Sequence, residues 1–358
     1  MSNQTLSSST YVPFAGADEA FAQLVAHAEE HDAVLETSGP GDARIVVGDN
    51  SIQITSNGKG LSFKVAAVSE SLLCILKEAS VLHLKDLNAT AAEALRWKDA
   101  GVDNIGEGRP ANFQELVLVD RSEPLSGLLR LQFESLGEIE RLKGPGIHVK
   151  LLCPAVAGRI PVWPTTAANG TTTWPVGEDA LHARYYTIRS VNLDTGTVDF
   201  DIVRHPGGVI SDWAEKARPG DRIGLLGPGG HERPSEGDRI FLAGDQTALP
   251  ALARMLEDLP ANTSGHVIGE AETLDELRSY LPETDLTLHA LPHACFSDEI
   301  LNLARQQTGK DTTQFAWFAG EYKNAQEMRK LFKSEWGLSK GRQFSITYWR
   351  KGKVHKAN

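Results

Sequence analysis

The sequence predicts a multidomain protein: a small N-terminal α+β domain, an antiparallel β-barrel, and an open α/β sheet. Three observations predict it. At 358 residues the chain exceeds one ordinary domain. Between about 113 and 233 short β-like runs follow one another with no long helix. After "PSEGDRI" the texture changes to alternating apolar strand and helix. The expected boundaries are 1–110 for the N-terminal domain with its linker, 111–235 for the barrel and 236–358 for the α/β domain with a basic tail.

Taken in order, "DEAFAQLVAHAEEH" has helical spacing, and "ARIVVGDNSIQITSNGKGLSFKVAAV" alternates about an Asn-Gly pair, the signal of a β-hairpin. The apolar helix "SESLLCILKEASVLHLKDL" follows, then a polar, Gly-rich joint, "KDAGVDNIGEGRPANFQ". The barrel runs are "ELVLVDRSE", "LLRLQFES", "HVKLLCP", "RYYTIRSVN", "TVDFDIVRH" and "DRIGLLGPGG", interrupted by one short helix, "SDWAEKA". The α/β units pair "RIFLAGD" with "TALPALARMLEDL", "GHVIGEA" with "TLDELRSYL", "LTLHALP" with "DEILNLARQQ", and "FAWFAGE" with "KNAQEMRKLFKSEW". Such repetition implies a mainly parallel sheet with helices on its faces.

Composition excludes several classes. No apolar run approaches the length of a membrane span, and the N-terminus lacks the basic start and apolar stretch of a secretory signal, so a cytoplasmic protein is expected. Cys74, Cys153 and Cys295 form no CxxC pair, so neither a disulfide framework nor a metal site is expected. The net charge of −11 argues against nucleic acid. Its distribution is uneven: from Glu321 onward ten Lys and Arg face three acids, so the tail carries +7 and the remainder −18. Such a tail is either solvated surface or a pocket for an anion. His27, His31 and His83 invite a metal or haem reading, but lone histidines are more often ordinary surface or core residues.

A barrel followed by an α/β domain suits electron transfer, with a flavin on the barrel and a nicotinamide reaching it from the sheet. In "HARYYTIRSV" the Arg184 guanidinium offers a fixed fork of donors for a diphosphate, Tyr186 a flat face and Thr187 a hydroxyl for the ring. A partly buried structural strand is the other reading. In "HPGGVISDWAEKA", Gly207 and Gly208 allow close backbone approach and Ser211 reads as the N-cap of a helix whose exposed amides form an anion site. "FLAGDQTALPAL" places Gly244 to Thr247 beyond the end of a strand, where open α/β sheets bind ligands, with Pro250 in the first helical turn. "FAWFAGEYK" closes another strand at the same edge.

Read together, Arg184-Tyr185-Tyr186-Thr187, the run from His205 to Trp213, Pro219-Gly220-Asp221, Gly227 to Gly230, Ala243 to Pro250, Ala319-Gly320-Glu321 and Tyr348-Trp349-Arg350 resemble the ordered signature of the siderophore-interacting protein family of FAD-dependent ferric-siderophore reductases. The resemblance runs from about 113 to 352. It implies a flavin-binding barrel and a nicotinamide-binding domain of ferredoxin-NADP reductase type. It also implies FAD as cofactor and NADPH or NADH as donor, with a ferric siderophore as substrate.

By the same resemblance Arg184, Tyr186 and Thr187 match the flavin strand, and His205, Gly208, Val209 and Ser211 the diphosphate and adenine loop. Asp245, Thr247, Ala248 and Glu321 fall on the nicotinamide side. Lys323, Arg329, Lys330, Lys333 and Arg350 become candidates for holding an anionic ferric complex. No acid, base or metal ligand is assigned, because electron transfer requires little proton chemistry. The chain lacks the second glycine of the wider superfamily's nucleotide loop and has Ala319 where Cys is common, which leaves ferredoxin open as a donor. A reductase with another acceptor and a siderophore-binding accessory protein are the alternatives. A monomer is expected. Through "VLHLKDLNATAAEALRW" the N-terminal region resembles a small domain of unknown function associated with this family.

Overall fold

The computed structural model describes residues 5–352 except 31–33, 100–107, 145, 157, 231–233, 235–237, 261 and 308–312. The chain divides into two compact units: Met1–Glu115 with Lys143–His182 and Ile223–Gly230, and Leu116–Leu142 with Ala183–Arg222 and His231–Asn358. Part of the expected Gly-rich joint, His31 and the last six residues of the basic tail lie outside the described residues.

The first unit opens on β1 (Leu6–Pro13), α1 (Ala17–Glu30), β2 (Val34–Gly39), β3 (Asp42–Val47), β4 (Asn50–Ser56) and β5 (Gly60–Ala67). These are followed by α2 (Glu70–Leu87), α3 (Ala89–Ala94) and β6 (Lys98–Asp99). The sheet order is β2-β3-β4-β5-β1-β6. The expected Asn57-Gly58 hairpin joins β4 to β5, with Gly58 at φ 76°, a value that suits a residue without Cβ. Ser69 caps α2 by accepting from the Leu72 amide. The apolar faces of α1 and α2 cover the sheet, burying Phe63, Val65, Leu84 and Trp97. Strand β1, "LSSSTYVP", is too serine-rich to announce itself by hydrophobic alternation; its edge-on neighbour β5 recruits it along eight paired positions.

The barrel comprises β7 (Phe113–Leu125), β8 (Leu128–Ser135), β9 (His148–Pro154), β12 (Leu181–Asn192), β13 (Thr197–Val203) and β14 (Arg222–Gly229). Between β9 and β12 lies a two-residue ladder, β10 (Thr165–Thr166) with β11 (Thr172–Thr173). The barrel closes in the order β12-β13-β8-β7-β14-β9, as the run of short strands predicts. Leu131, Phe133, Ile188, Val198 and Phe200 fill its interior. Helix α4 (Val209–Lys216) follows β13 and stacks Trp213 on Phe133 at 6.4 Å between ring centres.

The α/β domain alternates β15 (Arg239–Gly244), α5 (Leu249–Glu257), β16 (Ser264–Glu270), α6 (Leu274–Tyr280), β17 (Thr287–Leu291), α7 (Phe296–Gln307), β18 (Phe315–Glu321), α8 (Tyr322–Lys330) and β19 (Gln343–Trp349). All its pairings are parallel, in the order β17-β16-β15-β18-β19. Every residue of "FAWFAGE" is buried, the continuous apolar pattern of a strand covered on both faces. The edge strand β19 escaped the sequence reading because "QFSITYW" exposes alternate residues and follows no apolar run.

Candidate functional site

All the expected site residues fall in the second unit. Strand alternation puts Arg184 and Tyr186 on one face of β12 and Tyr185 and Thr187 on the other. Thr187 is buried at 5% exposure while Tyr185 is 72% exposed. The register with β13 begins only at Ile188↔Phe200, so the Arg-Tyr-Tyr-Thr segment precedes that ladder. The Arg184 guanidinium folds back to donate to the Ala183 carbonyl at 2.8 Å.

The loop after β13 is held from both sides. Arg204 bridges Glu123 at 3.0 Å and Glu215 at 2.9 Å. Gly207 adopts φ 77°, and a Cβ on Gly208 would run into the His205 ring. Helix α4 starts at Val209 with Gly208 as N-cap and no side-chain cap, a helix start whose positive dipole end favours an anion. Here the structure departs from the sequence reading. Ser211 is the third residue of the helix rather than its cap, buried, with Oγ accepting the His205 amide at 3.1 Å. It shapes the loop from beneath. A helix start without a side-chain cap, a glycine turn at Gly207 and Gly208 and an Arg-bearing strand offer the donors that the diphosphate of a flavin dinucleotide needs.

At the C-terminal edge of the parallel sheet, Asp245 ties three strands together. Its Oδ1 accepts from the Thr247 amide at 3.0 Å and the Thr247 hydroxyl at 2.5 Å. Its Oδ2 accepts from the Glu321 amide and from Trp349 Nε1, both at 2.8 Å. A Cβ at Gly320 would overlap this carboxylate, so that position requires glycine. Burial pushes the Asp245 pKa up to about 6, against the pull of the Thr247 and Trp349 hydrogen bonds and with the help of Glu270. Glu321 caps α8 through the Lys323 amide and also accepts from the Lys351 amide at 3.1 Å. Ala248 is buried against Gly244. Thus Asp245 and Glu321 spend their oxygens on the chain itself and act by positioning the strand ends.

Glu270, at the end of β16, was missed in the sequence. Its Oε2 accepts the Gln246 amide at 3.3 Å, and Oε1 meets His293 Nδ1, which raises the His293 pKa. The only signal available was an acid closing the apolar run "HVIGE". A second cluster joins barrel to sheet. Arg130 binds the buried Asp201 through two bonds of 2.7 Å, and Tyr280 donates to Asp201 at 2.6 Å. Arg189 bridges Glu257 at 2.8 Å. These residues are scattered over β8, β12, β13, α5 and α6, so no local pattern reveals them.

The expected cationic cluster is divided. Lys323 and Arg350 lie at the C-terminal sheet edge, with Arg350 over the Tyr322 ring at 4.3 Å. Arg329, Lys330 and Lys333 sit further along α8 and its continuation as a π-helical turn, Leu331–Glu335. There Arg329 donates to the Ser345 carbonyl at 3.1 Å. Seven residues of helix separate Lys323 from Lys330, roughly 10 Å of rise.

Residues 119–232 match the siderophore-interacting FAD-binding domain, and residues 237–352 match the siderophore-interacting protein family. Both matches begin after the N-terminal sheet. The ferric vibriobactin reductase ViuB of Vibrio cholerae serotype O1 is 29% identical over 222 residues, 59% of this chain and 79% of its own length. A solved siderophore utilization protein from T. fusca is 28% identical, with a TM-score of 0.54 over 71% of this chain and 98% of that one. The siderophore-interacting protein from Acinetobacter baumannii shares the fold, with a TM-score of 0.56 at 23% identity over 68% of this chain and 92% of that one. Among the described residues no helix is long and apolar enough to cross a membrane.

Proposed function

Because the chain belongs to the siderophore-interacting protein family and carries its FAD-binding domain, we propose that it reduces Fe(III) held in a siderophore to Fe(II), with NAD(P)H as donor, in the cytoplasm. The observation that carries this reading is the combination, within one compact unit, of an Arg-Tyr-Tyr-Thr strand, an uncapped helix start and a parallel-sheet edge. When bound, FAD supplies the step-down from one two-electron hydride to two single electrons, each reducing one Fe(III).

The chain's own work is binding and orientation. Arg184 and the first-turn amides of α4 would neutralise the diphosphate. Tyr186 would lie against the ring and Thr187 would offer its hydroxyl to the ring's polar edge. Asp245 holds the ends of β15, β18 and β19 in register, so that the nicotinamide side is preorganised. Lys323 and Arg350 would draw an anionic ferric complex to the same edge by a field that salt screens. Iron leaves because a siderophore built for Fe(III) grips Fe(II) far less tightly.

Anaerobic stopped-flow absorbance tests this. FAD-loaded protein is mixed with NADH or NADPH and then with a ferric siderophore. Bleaching followed by rapid reoxidation is expected. Reduced flavin that the ferric complex leaves reduced would show that the acceptor is something else, and a protein that takes up no flavin would point to a binding role.

A further inference from the structure

The sheet order β17-β16-β15-β18-β19 reverses direction between β15 and β18. In open α/β sheets that reversal opens the crevice in which a dinucleotide lies, beyond the C-terminal strand ends. Here Gly244 pairs with both Gly269 of β16 and Ala319 of β18, so the three ends are level. The next strand out, β16, then stands where such folds meet the adenosine ribose, whose 2′ position distinguishes the two nicotinamide dinucleotides.

At this end the chain is acidic. At the end of β16 and the starts of α6 and α7 stand Glu270, Glu272, Asp275, Glu276, Asp298 and Glu299, and the one Lys or Arg carried by α6 is Arg278. That one is bound to Asp275 at 3.5 Å. Glu270 is buried and engaged with His293, while Glu272 is exposed and accepts the His293 amide at 3.3 Å. The His293 imidazole is therefore already paired with Glu270. The start of α6 is capped: Thr273 accepts the Glu276 amide at 3.2 Å, and the Glu276 carboxylate accepts the amide of Glu272, the residue before the cap, at 3.1 Å. A 2′-phosphate dianion at this strand end would meet carboxylates, and the guanidinium carried by α6, Arg278, is paired with Asp275. A ribose diol would meet carboxylate acceptors.

Resting on the reductase reading above, we propose that the electron donor is the dinucleotide without a 2′-phosphate, NADH, and that Glu272 with the capped start of α6 excludes NADPH. Like-charge juxtaposition is costly, and even with Glu272 exposed to solvent the preference should be about tenfold or more.

The test uses full-length, FAD-loaded protein. Calorimetry compares ADP-ribose with its 2′-phosphorylated form, and stopped flow compares flavin reduction by NADH and NADPH. The unphosphorylated ligand should win in both by about tenfold or more, with the gap narrowing as salt rises. Glu272→Arg should close much of the gap by improving the phosphorylated ligand. Equal or tighter binding of the phosphorylated form, an unchanged ratio in Glu272→Arg, or binding of neither would overturn the proposal. Failure of the underlying reading looks different: chemically reduced flavin would not be reoxidised by a ferric siderophore, whichever nucleotide binds.

Discussion

Replacing Asp245 by Asn removes a buried negative charge that holds three strand ends. The folded carboxyl titrates at about 6 against an ordinary 3.8. A carboxyl raised in this way favours the folded state most when protonated. Its contribution is fully present below pH 3.8 and is lost as pH rises through 6, a change of about 3 kcal/mol in all. The Asn side chain keeps one acceptor oxygen but turns its amide group toward two donors, for instance the Glu321 amide and the Trp349 indole, which costs about 1–3 kcal/mol. At pH 4 the parent protein should therefore be the more stable. By pH 7.5 its advantage should shrink by about 2 kcal/mol, because only the parent must ionise a buried group. Urea unfolding of both proteins at the two pH values, followed by tryptophan fluorescence, measures that difference. An advantage that stays constant with pH would refute the reasoning, since it would mean that Asp245 titrates alike in the folded and unfolded chain.

Two further outcomes are expected. Arg184→Ala should weaken FAD binding by about ten- to a hundredfold, the loss of a charge-assisted contact to phosphate, seen as flavin lost on gel filtration; full retention would remove that role. Lys323→Glu with Arg350→Glu should raise the KM for an anionic ferric complex about three- to tenfold at low salt, whereas Lys330→Glu with Lys333→Glu should change it less than about twofold, being about a Debye length further away. Equal effects from both pairs would return the whole tail to the binding surface.

The order of elements was legible because each long element announces itself locally. The Asn57-Gly58 turn, the Ser69 cap and the buried run "FAWFAGE" need only their neighbours to be read. Motif positions were legible for the same reason: the left-handed backbone at Gly207 and a strand-to-loop turn at Gly244 are properties of short segments. The roles of individual side chains were less so. Ser211 reads as a cap until the helix is seen to start two residues earlier, because helix ends depend on which amide finds which oxygen.

What the sequence by itself determined was the three-part architecture, the family signature and the segments that carry it, since periodicity, turn chemistry and glycine placement act over a few residues. Only the tertiary structure decided which of those residues meet. It brought Asp245, Glu321 and Trp349 to one point across more than a hundred residues of chain. It seated Glu270 against His293 and separated Lys323 from Lys330 along a single helix. The reason is physical: a parallel sheet is ordered by long crossovers, so its strand ends converge in space without any trace in local sequence.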